Sequence, residues 1–340
     1  MDTELLRLLC TTNGISGDEN KIRDIILKEI TPYATDIKVD NIGNIIVFKK
    51  GAEKANKKLM ISAHMDEVGF IITDITNEGY LKFTTVGGID KRVIYGKAVS
   101  VGENSINGVI GVKPVHLLDS KARNTSVDID DMYIDIGAYS KENAEEYVSC
   151  GDSVSFAAPF IADENRVMAK AIDDRAGCFI LINMIKSELP YDMYFTFVVQ
   201  EEVGLRGAGC AAYTVNPDSA IIVEATTASD IPNIDVTKQV CELGEGAVIS
   251  FMDKNTIYDK KYCNIALNTS KKTGVKVQLK KAVAGGNDAG IIHRSRGGIK
   301  TVAISVPCRY LHSAFTVINT DDLKATYETV KATAEEILKN

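Results

Sequence analysis

The chain has 340 residues, 45% of them hydrophobic and 25% charged, with a formal net charge of -7. That is the balance of a globular protein with a real core, large enough for one big domain or two ordinary ones. The acidic charge argues against nucleic-acid or anionic-membrane partners, since either would want a basic face. Met1-Asp2-Thr3-Glu4-Leu5 has no basic segment followed by an apolar stretch, and no apolar run nears the roughly 20 residues of a membrane helix, so neither a signal peptide nor a span is expected. The seven cysteines form an odd set with no CxxC pair and read as reduced thiols of a cytoplasmic protein.

In chain order, Asp2 to Leu9 reads as a short helix stopped by Gly14. A second helix starts near Ser16 or Asp18 and carries Ile22, Ile25, Ile26 and Ile30 at helical spacing. Strands follow over Asp36 to Val39 and Ile45 to Phe48, then Leu59 to Ala63, ending at His64. After Gly69 the texture is strand and turn as far as about Arg166, as in Phe70 to Ile75, Tyr80 to Val86 and Gly108 to Val112. Such short, closely spaced strands predict a small barrel or sandwich. Leu118 to Met132 is polar and reads as an irregular loop. From Ala169 helices and strands alternate: a helix over Asp174 to Lys186, strands Tyr194 to Val199 and Ala220 to Val223, and a helix from Tyr258 to Lys271. Strands Val275 to Leu279 and Thr301 to Val306 follow, with a closing helix over Asp321 to Leu338. This rhythm predicts a sheet covered by helices on both faces, interrupted by an all-β insertion.

Ligands of α/β sheets bind at the carboxyl ends of strands. Of four histidines, His64 and His312 fall just beyond predicted strands; Glu201-Glu202 and Glu224 follow two others, and Asp173-Asp174 open a helix. Singly, each has a bland reading. A lone histidine is mostly structural, a Glu pair mostly solvated, and an acidic helix start mostly a cap favoured by the helix dipole. Together, five chain ends that present imidazole or carboxylate suit two divalent ions such as zinc. In His64-Met65-Asp66, residues two apart share a side of an extended segment, so Asp66 can orient the imidazole. In the Glu201-Glu202 pair one carboxylate can bind metal while its neighbour stays free as a base. His116 and His293, the latter read at a helix start, lack such partners. Gly285-Gly286-Asn287-Asp288 reads as a loop that brings backbone close to a ligand, and no Lys-Ser or Lys-Thr follows to make it a phosphate loop.

These residues carry a family resemblance. The stretches Ala63-His64-Met65-Asp66-Glu67-Val68-Gly69-Phe70, Lys170-Ala171-Ile172-Asp173-Asp174-Arg175, Gln200-Glu201-Glu202-Val203-Gly204-Leu205-Arg206-Gly207-Ala208, Gly285-Gly286-Asn287-Asp288-Ala289-Gly290 and Arg309-Tyr310 with His312-Ser313 resemble metallopeptidase family 42, the glutamyl and deblocking aminopeptidases. The resemblance implies an α/β fold. A three-layer α/β/α dimetal peptidase domain (1–67 plus 167–340) would carry an inserted PDZ-like all-β barrel for dimerisation (68–166). It also implies two divalent ions, zinc or cobalt. Asp173 would bridge them, with His64 and Glu224 on one and Glu202 and His312 on the other; Glu201 would be the general base and Asp66 the orienter of His64. Substrates would be short unfolded peptides, and the chain would form a homo-oligomer, a tetrahedral dodecamer. Two departures stand out: the family usually has Asp where this chain has Glu224, and often Pro-Val-Glu where it has Ala314-Phe315-Thr316. Glu224 brings in a deacylase or carboxypeptidase-like alternative. A glycoside hydrolase needs two flanking carboxylates and no histidines, and an inactive scaffold should have lost a ligand or the base.

Overall fold

The structure is a computed structural model and describes residues 2–339. Its main sheet has 11 strands. Four central ones run parallel, in the order Met193–Val198, Leu59–His64, Ser219–Thr227 and Lys300–Arg309. Every residue of Leu59–His64 is buried, as an all-parallel sheet core with both faces covered requires. Ile172–Lys186 packs across Leu59–His64 and Ser219–Thr227, with Thr3–Thr11, Asn20–Ile30 and Thr320–Lys339 beside it. Arg206–Val215 packs on Met193–Val198 and on the short helix Ala289–Ile292. Antiparallel strands flank this centre: Ile45–Lys49 on one side, Thr316–Asn319 and Arg166–Ala169 on the other.

Between Leu59–His64 and Ile161–Ala162 in the sequence, the chain closes a separate barrel from Gly69–Ile75, Leu81–Val86, Tyr133–Asp135, Ile106–Gly111, Ala98–Val101 and Ser153–Phe156. It has its own core, in which Phe70 meets Phe83 and Phe156 edge-on at 5.2 Å each. The hairpin of Ile161–Ala162 and Arg166–Ala169 then returns the chain to the main sheet. The polar stretch 118–132 holds two 3-10 turns, Ala122–Asn124 and Ile129–Asp131.

The second helix begins at Asn20 after Glu19, close to Asp18; the Ser16 hydroxyl donates to Asp66 (2.6 Å) and Asp18 accepts from Ser153 in the barrel (2.5 Å). Two local expectations need correction. The strand read as Ala220 to Val223 runs on to Thr227 and carries Glu224 within it, its parallel pairing with Lys300–Arg309 continuing through Ala225, Thr226 and Thr227. His293 ends the helix Ala289–Ile292 and does not open one.

Candidate active site

The carboxyl ends of the parallel strands converge on one acidic cavity. His64 is the last residue of its strand and is almost fully buried. Its Nε2 lies 3.3 Å from Asp173 Oδ1 and 3.7 Å from Glu224 Oε2. The other Asp173 oxygen, Oδ2, lies 3.3 Å from His312 Nε2, and that same nitrogen is 3.3 Å from Glu202 Oε1. All five expected ligands thus meet, with Asp173 turned to both imidazoles. Glu201 lines the same cavity.

Backbone geometry holds these groups. Ala171, Gln200, Tyr310 and His312, none of them glycine, have φ between 56° and 62°. Such left-handed residues cost free energy and persist where the surroundings over-determine them, often at functional sites. At the end of Met193–Val198, Asn44 accepts from Val199 N and donates to Gly207 O. A Cβ on Gly207 would stand 2.4 Å from both Asn44 Oδ1 and Val199 O, so only glycine lets the helix after Glu201-Glu202 start this close. Asp66 touches His64 less directly than expected: Nδ1 is 3.5 Å from its carboxylate and 3.2 Å from its backbone carbonyl. Its carboxylate accepts from Ser16 Oγ, Glu201 N and Glu202 N, so it holds the Glu-Glu pair as well as the histidine. His312 Nδ1 lies 2.8 Å from the carbonyl of Gly88, in the connection that follows Leu81–Val86 of the barrel.

The cluster is short of positive charge. Burial raises Glu201 and Glu224 well above the ordinary glutamate range, against the opposing pull of His64, and neighbouring carboxylates raise both further. Burial alone would lower the two histidines. For His64, the nearby carboxylates of Asp173 and Asp66 outweigh it and lift the pKa well above the usual value; for His312, Asp173 and Glu202 push it up to about 11. Asp173 Oδ1, Asp174 Oδ2, Glu202 Oε1 and Glu224 Oε1 are buried without a hydrogen-bond partner. Buried carboxylate oxygens of this kind are normally paired or bound to a cation. Two groups, His64–Asp174–Glu224 and His64–Asp173–Glu202, bring one donor atom each within 4.8 Å of one another. Imidazole and carboxylate together suit a borderline divalent ion.

Sequence reasoning missed two acids. Asp174, read as a cap, does accept from Gly177 N at 2.9 Å, but its other oxygen faces the cluster. Asp288 is fully buried with both oxygens unpartnered, and its charge bears on Asp173 and Glu202. Its place in the Gly-Gly-Asn-Asp loop was the available signal.

An α/β/α sheet with a cluster of imidazoles and carboxylates at its strand ends that could hold cations, and a barrel set into the chain, is an arrangement suited to hydrolysis. The sequence profile of the M42 glutamyl aminopeptidases matches residues 43–328, and the chain belongs to that family. It is 32% identical to the lysyl aminopeptidase of Pyrococcus furiosus, over 99% of this chain and 98% of that protein. It is equally 32% identical to the glutamyl aminopeptidase of Lactococcus lactis, over 93% and 91%. Among solved structures, the TET1 peptidase of Pyrococcus horikoshii, described as assembling into a tetrahedron or a large octahedral shell, superposes with a TM-score of 0.85 at 36% identity, covering 98% of each chain. A Thermotoga maritima protein described as an endoglucanase superposes at 0.82 with 34% identity, over 98% of each. The chain is therefore a peptide hydrolase of the aminopeptidase type. No helix among its described residues is long and apolar enough to cross a membrane.

Proposed function

We propose that this chain removes N-terminal residues from short unfolded peptides with the help of two divalent metal ions, zinc or cobalt. The carrying observation is Asp173, whose two oxygens face two different imidazoles, each with a further carboxylate: Glu224 beside His64, Glu202 beside His312. These residues would hold the ions, which supply Lewis-acid charge that acidifies water and polarises the scissile carbonyl. Glu201, which lines the same cavity and is not needed as a ligand, would take the proton from the attacking water. As the C–N bond breaks, it returns the proton to the leaving amine. Asp66 keeps Glu201, Glu202 and His64 in register through its three hydrogen bonds and its contact with the imidazole. The endoglucanase description of one neighbour does not favour sugar cleavage here, because that chemistry assigns no task to His64 and His312.

By likeness to the tetrahedral peptidase we also propose that the barrel mediates dimer contacts within a homo-dodecamer, with domain limits near 68 and 166, in the cytoplasm. The test is metal content, native mass and aminoacyl-anilide turnover on purified protein. Expected are two ions per chain, a particle of twelve chain masses and N-terminal release. Glu201→Gln should keep both ions and lose activity by about 10²-fold or more. Wild-type turnover in that variant would remove Glu201 as the base, and protein that binds no divalent ion would remove the metal chemistry.

A further inference from the structure

Glu201 and Glu202 follow a strand end whose backbone is held by side chains from elsewhere in the chain. Beyond Met193–Val198 the carbonyls of Val199, Gln200 and Glu201 accept from Gly207, Arg206 and Leu205, in the turn that leads into Arg206–Val215. The amides of the same stretch are met from outside that turn. Val199 N donates to Asn44 (3.0 Å), Gln200 N to Glu19 Oε1 (3.2 Å), and Glu201 N and Glu202 N to the two oxygens of Asp66 (3.0 and 3.2 Å). Four successive N–H groups thus end on three side chains, and a buried amide left without its acceptor costs free energy. Glu19 is the member of the three with the least obvious place. It stands just before the helix Asn20–Ile30, where a side chain ordinarily caps the helix, yet it makes no such bond. Its Oε1 turns back and accepts from Gly17 N (2.7 Å) as well as from Gln200 N, and the residue is only 4% exposed. Burial raises its pKa to about 7, against those two amide bonds and with Asp66 adding to the rise. A carboxyl kept from water at that cost, and off its own helix, has its use at Gln200.

We propose that Glu19 is a positioning residue for the hydrolysis: by accepting from Gln200 N it fixes the backbone turn that presents Glu201 to the scissile bond. The inference rests on the reading of Glu201 as the base. Gln200 has φ 57°, left-handed for a residue with a side chain, and such a conformation persists only where the surroundings enforce it. Without the bond from Glu19, Gln200 can relax out of that conformation, and the next residue along the chain is Glu201. A reacting group misplaced by about 1 Å can lose about 10²-fold in rate. Near neutral pH Glu19 is present both ionised and protonated, so what Gln200 N needs is an acceptor oxygen at the right reach rather than a charge. Glutamine supplies that oxygen at the same reach. Aspartate keeps the charge but falls one methylene short.

The experiment compares wild type with Glu19→Gln, Glu19→Asp and Glu19→Ala as intact, metal-loaded proteins. It reads kcat and KM on the best cleaved of Glu-, Leu- and Lys-p-nitroanilide, metal ions per chain, and amide exchange at residues 200–202. Glu19→Ala and Glu19→Asp are expected to lose kcat by about tenfold or more, with KM within about threefold and metal content unchanged, and to exchange the Gln200 and Glu201 amides faster. Glu19→Gln should recover most of the kcat and of the protection. A role confined to holding residues 16–19 in place would lower the melting temperature and leave kcat of the folded protein alone, which overturns the proposal. Equal loss in Glu19→Gln and Glu19→Asp overturns it as well, and that comparison stands even where Glu19→Ala does not fold. A loss of kcat that excess zinc or cobalt restores would put the effect in metal binding and overturns it too. If wild type cleaves an anilide and Glu19→Ala matches it, the positioning role alone falls. If wild type cleaves none, the reading of Glu201 as the base falls and the proposal with it.

Discussion

Glu67 is only 2% exposed, and the basic residues that pair with it stand on either side of the candidate ligand Asp173. Lys170 Nζ donates to both of its oxygens (2.6 and 2.8 Å), and Gly14 N donates to one at 3.0 Å. Arg175, fully buried, stands 3.6 Å from Glu67 and donates to the carbonyls of Met65, Leu9 and Thr12. Glu67 is three residues past His64, and Lys170 and Arg175 bracket Asp173, so this network clamps together two segments that carry candidate ligands. Removing one partner of a buried ion pair leaves an uncompensated charge, which costs about 3–5 kcal/mol. Glu67→Gln should therefore lower stability by about that amount, read as a shift of the denaturant midpoint; a variant within about 1 kcal/mol of wild type would mean the cluster is not a clamp. At this scale the sequence was legible where chemistry is rare: two of four histidines at strand ends and a doubled glutamate led to His64, His312, Glu201 and Glu202. It was illegible where chemistry is common. Asp174 and Asp288 look like any helix cap or loop acid until burial strips away solvent.

Elements were legible where periodicity was strong, and lost where a functional residue broke the pattern. Glu224 looked like the end of its strand because a carboxylate in a buried strand interior is costly; the strand continues because its backbone pairing with Lys300–Arg309 runs past Glu224 while the side chain turns toward His64. Helix Arg206–Val215 gave no signal, since its Gly207 and Gly209 are poor helix formers and its N-cap has no side-chain hydrogen bond. The closing helix shows the reverse case, an element whose start is tied to a distant loop. In its first turn Asp322, buried, accepts from Gly244 N and Gly246 N at 2.7 Å each, anchoring the loop that leads into Ala247–Ser250. Burial outweighs those two bonds and raises its pKa to about 6. The unfolded carboxyl titrates near 3.9. A folded-state pKa above the unfolded one means a contribution fully present below about pH 4 and lost as pH rises to about 6. Asp322→Asn cannot ionise, so its stability relative to wild type should improve between pH 4 and pH 6 and then stay level. The change should be on the order of 2–3 kcal/mol, at about 1.4 kcal/mol per pKa unit. Melting curves of both proteins across that window would decide it; parallel pH profiles would mean that Asp322 titrates alike in both states.

On the scale of the whole molecule, the cluster sits where the central strands and the helix Ile172–Lys186 already pack together. His64 and Glu224 come from central strands, Glu202 and Asp173 from strand–helix junctions, and His312 from the turn after Lys300–Arg309, while His312 also reaches back to Gly88 beside the barrel. The sheet and the barrel have separate hydrophobic cores, so each can keep its packing when the cluster loosens. Bound cations would offset the mutual repulsion of the buried carboxylates, which the two imidazoles and the raised pKa values of Glu201 and Glu224 otherwise relieve. Ligand bound only to the folded state stabilises it by about 2.7 kcal/mol at a hundred times its Kd. In a chain of this length each kcal/mol moves Tm by about 2 °C. Chelation should therefore lower Tm by about 5 °C or more, and re-addition of zinc or cobalt should restore it. The loss should also be local. Amide exchange should speed up after chelation at residues 200–204 and 310–313, where left-handed backbone is held by the cluster, and stay slow in barrel strands Gly69–Ile75 and Ser153–Phe156. Equal loss of protection in the barrel would mean that the cluster is a keystone for the entire fold, and unchanged exchange at 200–204 would mean that the protein needs no cation to hold Glu201 and Glu202 in place.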